Sequence, residues 1–472
     1  MDYDVLILGG GIIGCAVAYE LSKYNINIAL IEKDYDVAND ISFVNTAVIY
    51  DGSETSDCIM ASLEKKGRKL IEEHCKKFHI PYKKVGALRI SNSQYGNERL
   101  DNMYNRAKER GISGVHIIDE NAIKDIEPNL KATYTKALYC ENTAVICPYN
   151  LAISYAEVAA DNGVNFRLEE KVIDIRNISK GFKVTTNKNK FTCKFVVNTI
   201  PNEVFSDNNE DNHDDNHDDN QNSIISRKMN YILFNDKLDN HMNNIIINEI
   251  DESAFVIDIP TALNGNLIGI KGYDSLDMEK GLNLCKNIIP DIDKHTVTNI
   301  FTETYSKDSV CIEENKLEEG YVKVRGSHYA KITIAPAIAK KIGEVLKTNI
   351  NIIEKKDYVD KKRDMYVFKN MTKEERNEII KLDSRYGNIV CSCNCISEGE
   401  IVDCIRRPLG ARTVEGVKRR TGIGLGSCNG AYCNMKIIKI LAREMDKDVL
   451  SIVDDSMESR VLVGRIKEFS EI

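Results

Sequence analysis

Near the C-terminus stand Cys391-Ser-Cys393 and, after 34 intervening residues, Cys428-Asn-Gly-Ala-Tyr-Cys433. Two close thiol pairs brought together by a short insert can supply four sulfur ligands to one small metal centre. Four thiolates suit zinc or an iron–sulfur cluster. Structural zinc sites usually carry CxxC pairs, which CxC and Cx4C do not match, and the spacing also departs from that of plant ferredoxins. The elements that must position these sulfurs are legible. Ser397 and Glu400 make a capping box that starts a helix running to about Arg407. Pro408-Leu-Gly410 breaks it, and Thr413 begins a second helix ending near Gly422. The loop from Gly422 to Gly426 delivers Cys428, and Cys433 precedes an apolar helix through Ile437, Ile438 and Leu441. Both thiol pairs are therefore expected on loops beside helix starts, where free N–H groups can bond sulfur. Cys395 is an alternative ligand, Cys404 lies on the Ile401/Ile405 face as core, and the other eight of the 14 cysteines, Cys147 included, read as small buried hydrophobes.

The N-terminus carries a second chemical pattern. Gly9-Gly-Gly11-Ile-Ile-Gly14 follows a short apolar run, Tyr3 to Leu8, and opens a stretch rich in small residues; Glu32, 18 residues after Gly14, ends the next apolar run, Ile28 to Ile31. Gly9 permits a tight turn, Gly11 lets backbone N–H groups approach a pyrophosphate, and Gly14 lets helix and strand pack closely. The helix N-terminus faces the phosphate charge. Glu32 can accept from ribose hydroxyls, and its charge disfavours a 2′-phosphate. The fingerprint alone does not separate FAD from NAD; its place at the start of the chain, with no second copy, favours FAD. A cofactor that accepts electrons and a centre that carries them on point to redox work.

With 472 residues, 42% hydrophobic and 29% charged, the chain can form two or three domains with a sizeable core. The net charge of −8 argues against general nucleic-acid binding. The cysteines, with no signal peptide, imply a reducing, cytoplasmic setting. Val5 to Leu21 is too short and glycine-rich to span a membrane.

The βαβ start predicts a doubly wound sheet. Leu151 to Asn162 reads as an amphipathic helix, and Phe166 to Ile175, Phe182 to Thr186 and Phe195 to Thr199 as strands. Asp207 to Asn222 is almost all Asp, Asn and His, so a disordered surface loop is expected; His213 and His217 belong to it. Ile224 to Ile270 reads as several strands of an antiparallel substrate layer, and Ala335 to Lys347 as a helix returning to the first domain. The expected division is an oxidoreductase domain over 1–354 with an acidic insert at 207–222, a charged linker at 355–385 and a helical cysteine module at 386–472.

With both ends read, the chain resembles the FAD-dependent oxidoreductases of the D-amino-acid-oxidase superfamily, in particular the anaerobic glycerol-3-phosphate dehydrogenase large-subunit type. Those end in a bacterioferritin-associated-ferredoxin-like [2Fe-2S] module. The resemblance is most specific over Gly399 to Thr421, and extends to Gly9–Gly14, Glu32, Ser42, Asn45-Thr46-Ala47, Ala137-Leu-Tyr139, Cys147-Pro148 and Ala335-Pro336-Ala337. It implies a Rossmann-like α/β FAD-binding domain with an inserted antiparallel substrate sheet, followed by a helical [2Fe-2S] domain held by Cys391, Cys393, Cys428 and Cys433. It also implies that Glu32 holds the adenosine ribose, that the backbone at Val172 meets adenine, and that Ser42, Asn45 and Thr46 lie near the flavin.

The chain departs from the family at its reacting half. Tyr50 stands where the family has His, Ile200-Pro201 where it has Ala-Gly, Tyr305 near its substrate-binding Arg, and Lys331 at a Gly beside the flavin. Pro201 and Lys331 add bulk where close backbone approach is usual. Tyr50, Tyr305, His328 and Lys331 are the candidate polar groups near the substrate; His328 reads equally as a surface or cap residue. The expected activity is oxidation of a small hydroxy or amino compound, with electrons passing from flavin to the cluster and on to a second redox subunit. Lys418, Arg419 and Arg420 form either a docking patch for that subunit or a solvated face. Two other readings compete: a diverged electron-transfer or assembly subunit without turnover, and a zinc-binding interaction module on an inactive Rossmann domain.

Overall fold

The computed structural model describes residues 1–39, 47–201, 227–234, 242–251, 254–262, 265–273, 278–286, 288–289, 292, 297–305, 310–316, 320–326, 328–349, 352–426 and 428–464. Ser42, Asn45, Thr46, His213 and His217 lie outside these.

The strand β1 (Tyr3–Leu8) sits at the centre of the first sheet, parallel to β2 (Ile28–Ile31) on one side and to Lys190–Asn198 on the other. Asn165–Arg167 and Tyr321–Arg325 extend the parallel set outward, and the hairpin Val172–Ile178/Gly181–Thr186 adds an antiparallel ribbon. Strands buried on both faces need continuous apolar runs, which Val5–Leu8 and Ile28–Ile31 supply. The helix α1 (Ile12–Leu21) leaves the carboxyl end of β1 and packs against Pro148–Asp161 and Lys331–Asn349. With its neighbours on either side, β1 forms the point where loops diverge, the usual ligand crevice of such sheets.

Among the described residues the second sheet has eight strands and is antiparallel except for one pair, Ile245–Glu249 beside Ala87–Ser91, which run parallel. The substrate layer is thus mixed rather than purely antiparallel. Two further readings shift. The strand expected over 166–175 is broken at Leu168–Lys171, where Glu169 takes a positive φ and the Glu170 carboxylate accepts from Thr186 Oγ1 (2.9 Å) and Asn189 Nδ2 (2.9 Å). The helix expected from Ala335 begins at Lys331 instead. Its first turn is anchored by Lys331 N–H on the His328 carbonyl (3.0 Å), and burial of Ile332 and Ile334 outweighs the bond that Pro336 removes.

The C-terminal module has its own core, built from Val390, Ile401, Val417, Ile437 and Leu441. Both Ser397 and Thr372 form complete capping boxes. Among the described residues no helix is long and apolar enough to cross a membrane.

Candidate active site and cluster centre

Two cavities of about 500 Å³ each meet below the parallel sheet. The first is lined by Gly9, Gly11, Gly14, Glu32, Val172, Ile200 and Pro201. Its geometry follows from the fingerprint. Gly9 has φ +97°, and a Cβ on Gly14 would stand 1.9 Å from the Gly9 carbonyl oxygen. Glu32 is held by the backbone: Gly10 N–H donates to Oε2 (2.5 Å) and Asp34 N–H to Oε1 (3.0 Å). The side chain is thus fixed at the rim where a ribose would lie. The bulk of Ile200, Pro201 and Lys331 borders this cleft without closing it.

Glu303, Tyr305 and Lys331 line both cavities. The second cavity gathers Tyr50, Tyr305, His328 and Lys331, so the structure brings all four candidate polar residues to one wall-to-wall space. It also contains groups that sequence reading missed. Arg89 is buried, with Nη2 on Glu54 (2.8 Å) and Nη1 on Glu249; Arg99 meets the other Glu249 oxygen at 3.0 Å. Burial opposes the Arg89 charge, but Glu54 and Glu249 outweigh it and hold the guanidinium ionised. Lys271 lies over the Phe255 ring, and Lys228 completes the basic set. Tyr305 donates to Glu303 and meets Tyr231 Oη at 3.1 Å. One signal for Arg89 was present: a lone charge inside the apolar strand Ala-Leu-Arg-Ile-Ser.

His328 is buried, and Ala330 N–H donates to its Nδ1 at 3.1 Å. Burial pushes its pKa down to about 4, Asp57 opposing. A backbone N–H can only donate, so Nδ1 accepts and the neutral ring carries its hydrogen on Nε2. His328 is therefore a hydrogen-bond donor in the cavity, not a proton acceptor.

Behind the cavity, Glu64 is fully buried and neither carboxylate oxygen has a hydrogen-bond partner of good geometry. Burial, then the charges of Glu54 and Asp51, push it up to about 8. The folded protein thus holds it protonated while the unfolded chain ionises above its ordinary 4.5, so stability falls as pH rises between these values. Glu64→Gln is expected to leave thermal stability nearly unchanged at pH 4.5 and to raise it by about 2–4 kcal/mol at pH 8, read by unfolding at the two pH values.

In the C-terminal module the sulfurs fall into two pairs. Cys393 and Cys428 lie 3.6 Å apart, and Cys391 contacts Cys433. Burial, then the charges of Cys391 and Cys428, raise the Cys433 thiol to about 11. Cys428 is lowered by its contact with Cys393 and by the Gly430 and Tyr432 backbone N–H groups. Among the described residues no three Cys, His, Asp or Glu side chains converge on a single ion position. Four cysteine thiols in two close pairs, with backbone N–H groups on the more exposed one, are a donor set that fits a [2Fe-2S] centre. Cys391 ends the short strand Ile389–Cys391 rather than lying in a loop. Cys395 packs against Phe368, Ile379 and Tyr386, and Cys404 is core.

The basic run of Lys418, Arg419 and Arg420 is neither a docking patch nor a solvated face. Lys418 pairs with Glu415 at 2.6 Å. Arg419 binds Asp455 (2.7 Å) and Asn39 and lies over the Tyr149 ring. Arg420 makes a bidentate bond to Asp36 (2.5 and 2.8 Å), both side chains buried. A second buried pair, Arg407–Glu157 at 3.1 Å, joins the module to the helix Pro148–Asp161. Arg419 and Arg420 hold the module to the first domain through Asn39, Tyr149 and Asp36, while Lys418 is spent on a pair within its own helix.

A dinucleotide cleft at the switch point of a parallel sheet, opening into a polar cavity under a second sheet, defines a flavin-type oxidoreductase. Residues 4–344 match the FAD dependent oxidoreductase family and residues 389–443 match a BFD-like [2Fe-2S] binding domain. The chain belongs to that FAD-dependent oxidoreductase family and carries the [2Fe-2S] domain. A glycerol 3-phosphate dehydrogenase of Caloramator mitchellensis is 32% identical over 98% of this chain and 99% of its own length. A mitochondrial L-2-hydroxyglutarate dehydrogenase of Caenorhabditis briggsae is 40% identical, over 30% of this chain and 33% of its own. The FAD-bound L-alpha-glycerophosphate oxidase of Mycoplasma pneumoniae shares the fold with a TM-score of 0.65 at 21% identity, covering 77% of this chain and 99% of that one.

Proposed function

We propose that the protein oxidises glycerol 3-phosphate at its secondary alcohol and passes the electrons, one at a time, from flavin to the [2Fe-2S] centre. The observation that carries the reading is the continuity of the fingerprint cleft with a cationic cavity across Glu303, Tyr305 and Lys331. The relationship to a glycerol 3-phosphate dehydrogenase over nearly the full chain supports the substrate. When bound, FAD supplies a hydride-accepting ring and the cluster a one-electron exit.

The chain's own residues do the rest. Gly9, Gly11 and Gly14 admit the pyrophosphate, Glu32 holds the ribose, and the Val172 backbone borders adenine. Lys228, Lys271 and Lys331 attract the dianionic phosphate, taking the place of a single bidentate arginine. Arg89 is already held by two carboxylates and serves as a rigid wall. His328 donates from Nε2 to a substrate oxygen. The hydroxyl proton leaves through Tyr305, whose own hydrogen passes to the Glu303 carboxylate. Cys391, Cys393, Cys428 and Cys433 would hold the [2Fe-2S] centre. An open cavity of this volume favours turnover over a purely electron-transferring subunit.

The test is anaerobic addition of glycerol 3-phosphate to the purified holoprotein. The expected result is a bleached flavin band followed by the paramagnetic signal of a reduced cluster. Bleaching by L-2-hydroxyglutarate alone would move the substrate to 2-hydroxy acids. Bleaching by neither, with FAD retained, would remove the dehydrogenase reading.

A further inference from the structure

The cluster thiols differ in exposure. Cys391 and Cys433 are buried, Cys393 is exposed and Cys428 half-buried. One edge of the centre therefore faces solvent, and an electron leaving by the shortest route leaves there. The surface beside it is unusual for this chain. Tyr432 is 81% exposed and Met435 46%, although both are large apolar side chains. Lys436 and Lys439 are exposed too, and neither takes part in an ion pair among the described residues. Within the helix Asn434–Met445, positions 435, 436 and 439 fall on one face, since helical neighbours recur at three and four residues, and Tyr432 lies in the turn that enters this helix. The result is a small apolar centre with a basic rim, on a protein whose net charge is −8.

We propose that this face, from Cys393 and Cys428 along Tyr432, Met435, Lys436 and Lys439, is the docking site for an acidic one-electron carrier protein. The proposal rests on the reading that the cluster is the electron exit, and specifies where and to what the electron goes. Transient redox encounters bury little area and depend on a small contact centre with complementary charge. The lysines steer an acidic partner against the general repulsion of an acidic protein. Tyr432 and Met435 then supply a contact that expels water over the exposed sulfurs. A basic carrier would be repelled at this face, and an uncharged one would gain nothing from it.

The test uses the full-length holoprotein with oxidised cluster and a chemically reduced plant-type ferredoxin, an acidic carrier. One electron moves from ferredoxin to the module's cluster, so one centre is oxidised as the other is reduced. No substrate is needed, so failure here is distinguishable from failure of the glycerol 3-phosphate reading. Stopped-flow rates are compared between the native protein and the double variant Lys436→Glu/Lys439→Glu. The expected result is a fall of about tenfold or more in the second-order rate at 20 mM salt, shrinking toward none at about 0.5 M, with cluster absorption unchanged. Tyr432→Ala is expected to lower the rate at every salt concentration. An unchanged rate and salt dependence in the double variant would overturn the proposal. So would a loss in the double variant that is equal at low and high salt.

Discussion

Gly14→Ala is expected to yield a protein that keeps its cluster absorption and loses its flavin. A Cβ at this position would lie 1.9 Å from the Gly9 carbonyl oxygen and 3.1 Å from Thr199 Oγ1. The first contact is with backbone, so no rotamer relieves it. Either α1 moves off β1 or the turn at Gly9 opens, and Gly9 already sits at φ +97°, where a side chain could not follow. Both movements displace the backbone that must face a pyrophosphate. An overpacking cost of about 3 kcal/mol or more corresponds to FAD retention weakened by over 100-fold. Gly10→Ala is the milder comparison: its Cβ would stand 3.0 Å from Glu32 Cβ, Cγ and Oε2, so Glu32 must give by a few tenths of an ångström, with no backbone atom as close as the Gly9 carbonyl is to Gly14. Its loss of affinity is expected to stay within about tenfold. The measurement is the flavin-to-iron ratio after gel filtration, followed by titration with FAD. Equal flavin content in the Gly14 variant and the native protein would refute the close-packing argument.

The features that proved legible in the sequence are those specified by neighbours. The Gly9–Gly14 turn, Glu32 at the next strand end, the capping box at Ser397 and the stop at Gly422 each depend on a few consecutive residues. The two thiol pairs were legible because their residue types have few structural alternatives at that spacing. The substrate cavity was legible only in part: Tyr50, Tyr305, His328 and Lys331 were candidates from the sequence and share it, but its other groups were not. Arg89, Tyr231 and Lys271 come from three strands far apart in sequence, and only the register of the second sheet brings them together. No local period marks such residues, apart from the charge of Arg89 in an apolar strand. The helix start at Lys331 was missed for a related reason. Pro336 reads locally as a beginning, but tertiary burial of Ile332 and Ile334 carries the helix one turn further back. The basic run at 418–420 misled because charge is ordinarily solvated, while its partners Asp36 and Asp455 lie elsewhere in the chain.

Arg420→Ala is expected to release the cluster module from the FAD-binding domain while leaving each folded. Arg420 and Asp36 are both about 2% exposed at the side chain and bond each other twice, at 2.5 and 2.8 Å. Arg420 also donates to the Leu409 carbonyl (2.8 Å) and the Gly416 carbonyl (3.1 Å), so one guanidinium ties three backbone segments. Burial disfavours its charge, yet Asp36 outweighs that and keeps it ionised. Truncating one partner leaves Asp36 buried without its counter-charge, a loss of about 3–5 kcal/mol. Asp36 sits four residues after Glu32, in the loop that follows β2, so its disturbance reaches the end of the cleft that Glu32 lines. The expected readouts are faster proteolysis between 355 and 385 and a lower FAD affinity in the same variant. Replacing both partners, Asp36→Leu with Arg420→Met, removes the stranded charge and is expected to recover most of the stability. If the double variant were as unstable as Arg420→Ala alone, the cost would lie in lost hydrogen bonds to Leu409 and Gly416 rather than in an unpaired carboxylate. If Arg420→Ala were as resistant to proteolysis as the native protein, Arg407–Glu157 and the Arg419 contacts to Asn39 and Tyr149 would be sufficient to hold the two parts together, and the cluster's position relative to the cleft would not depend on Asp36.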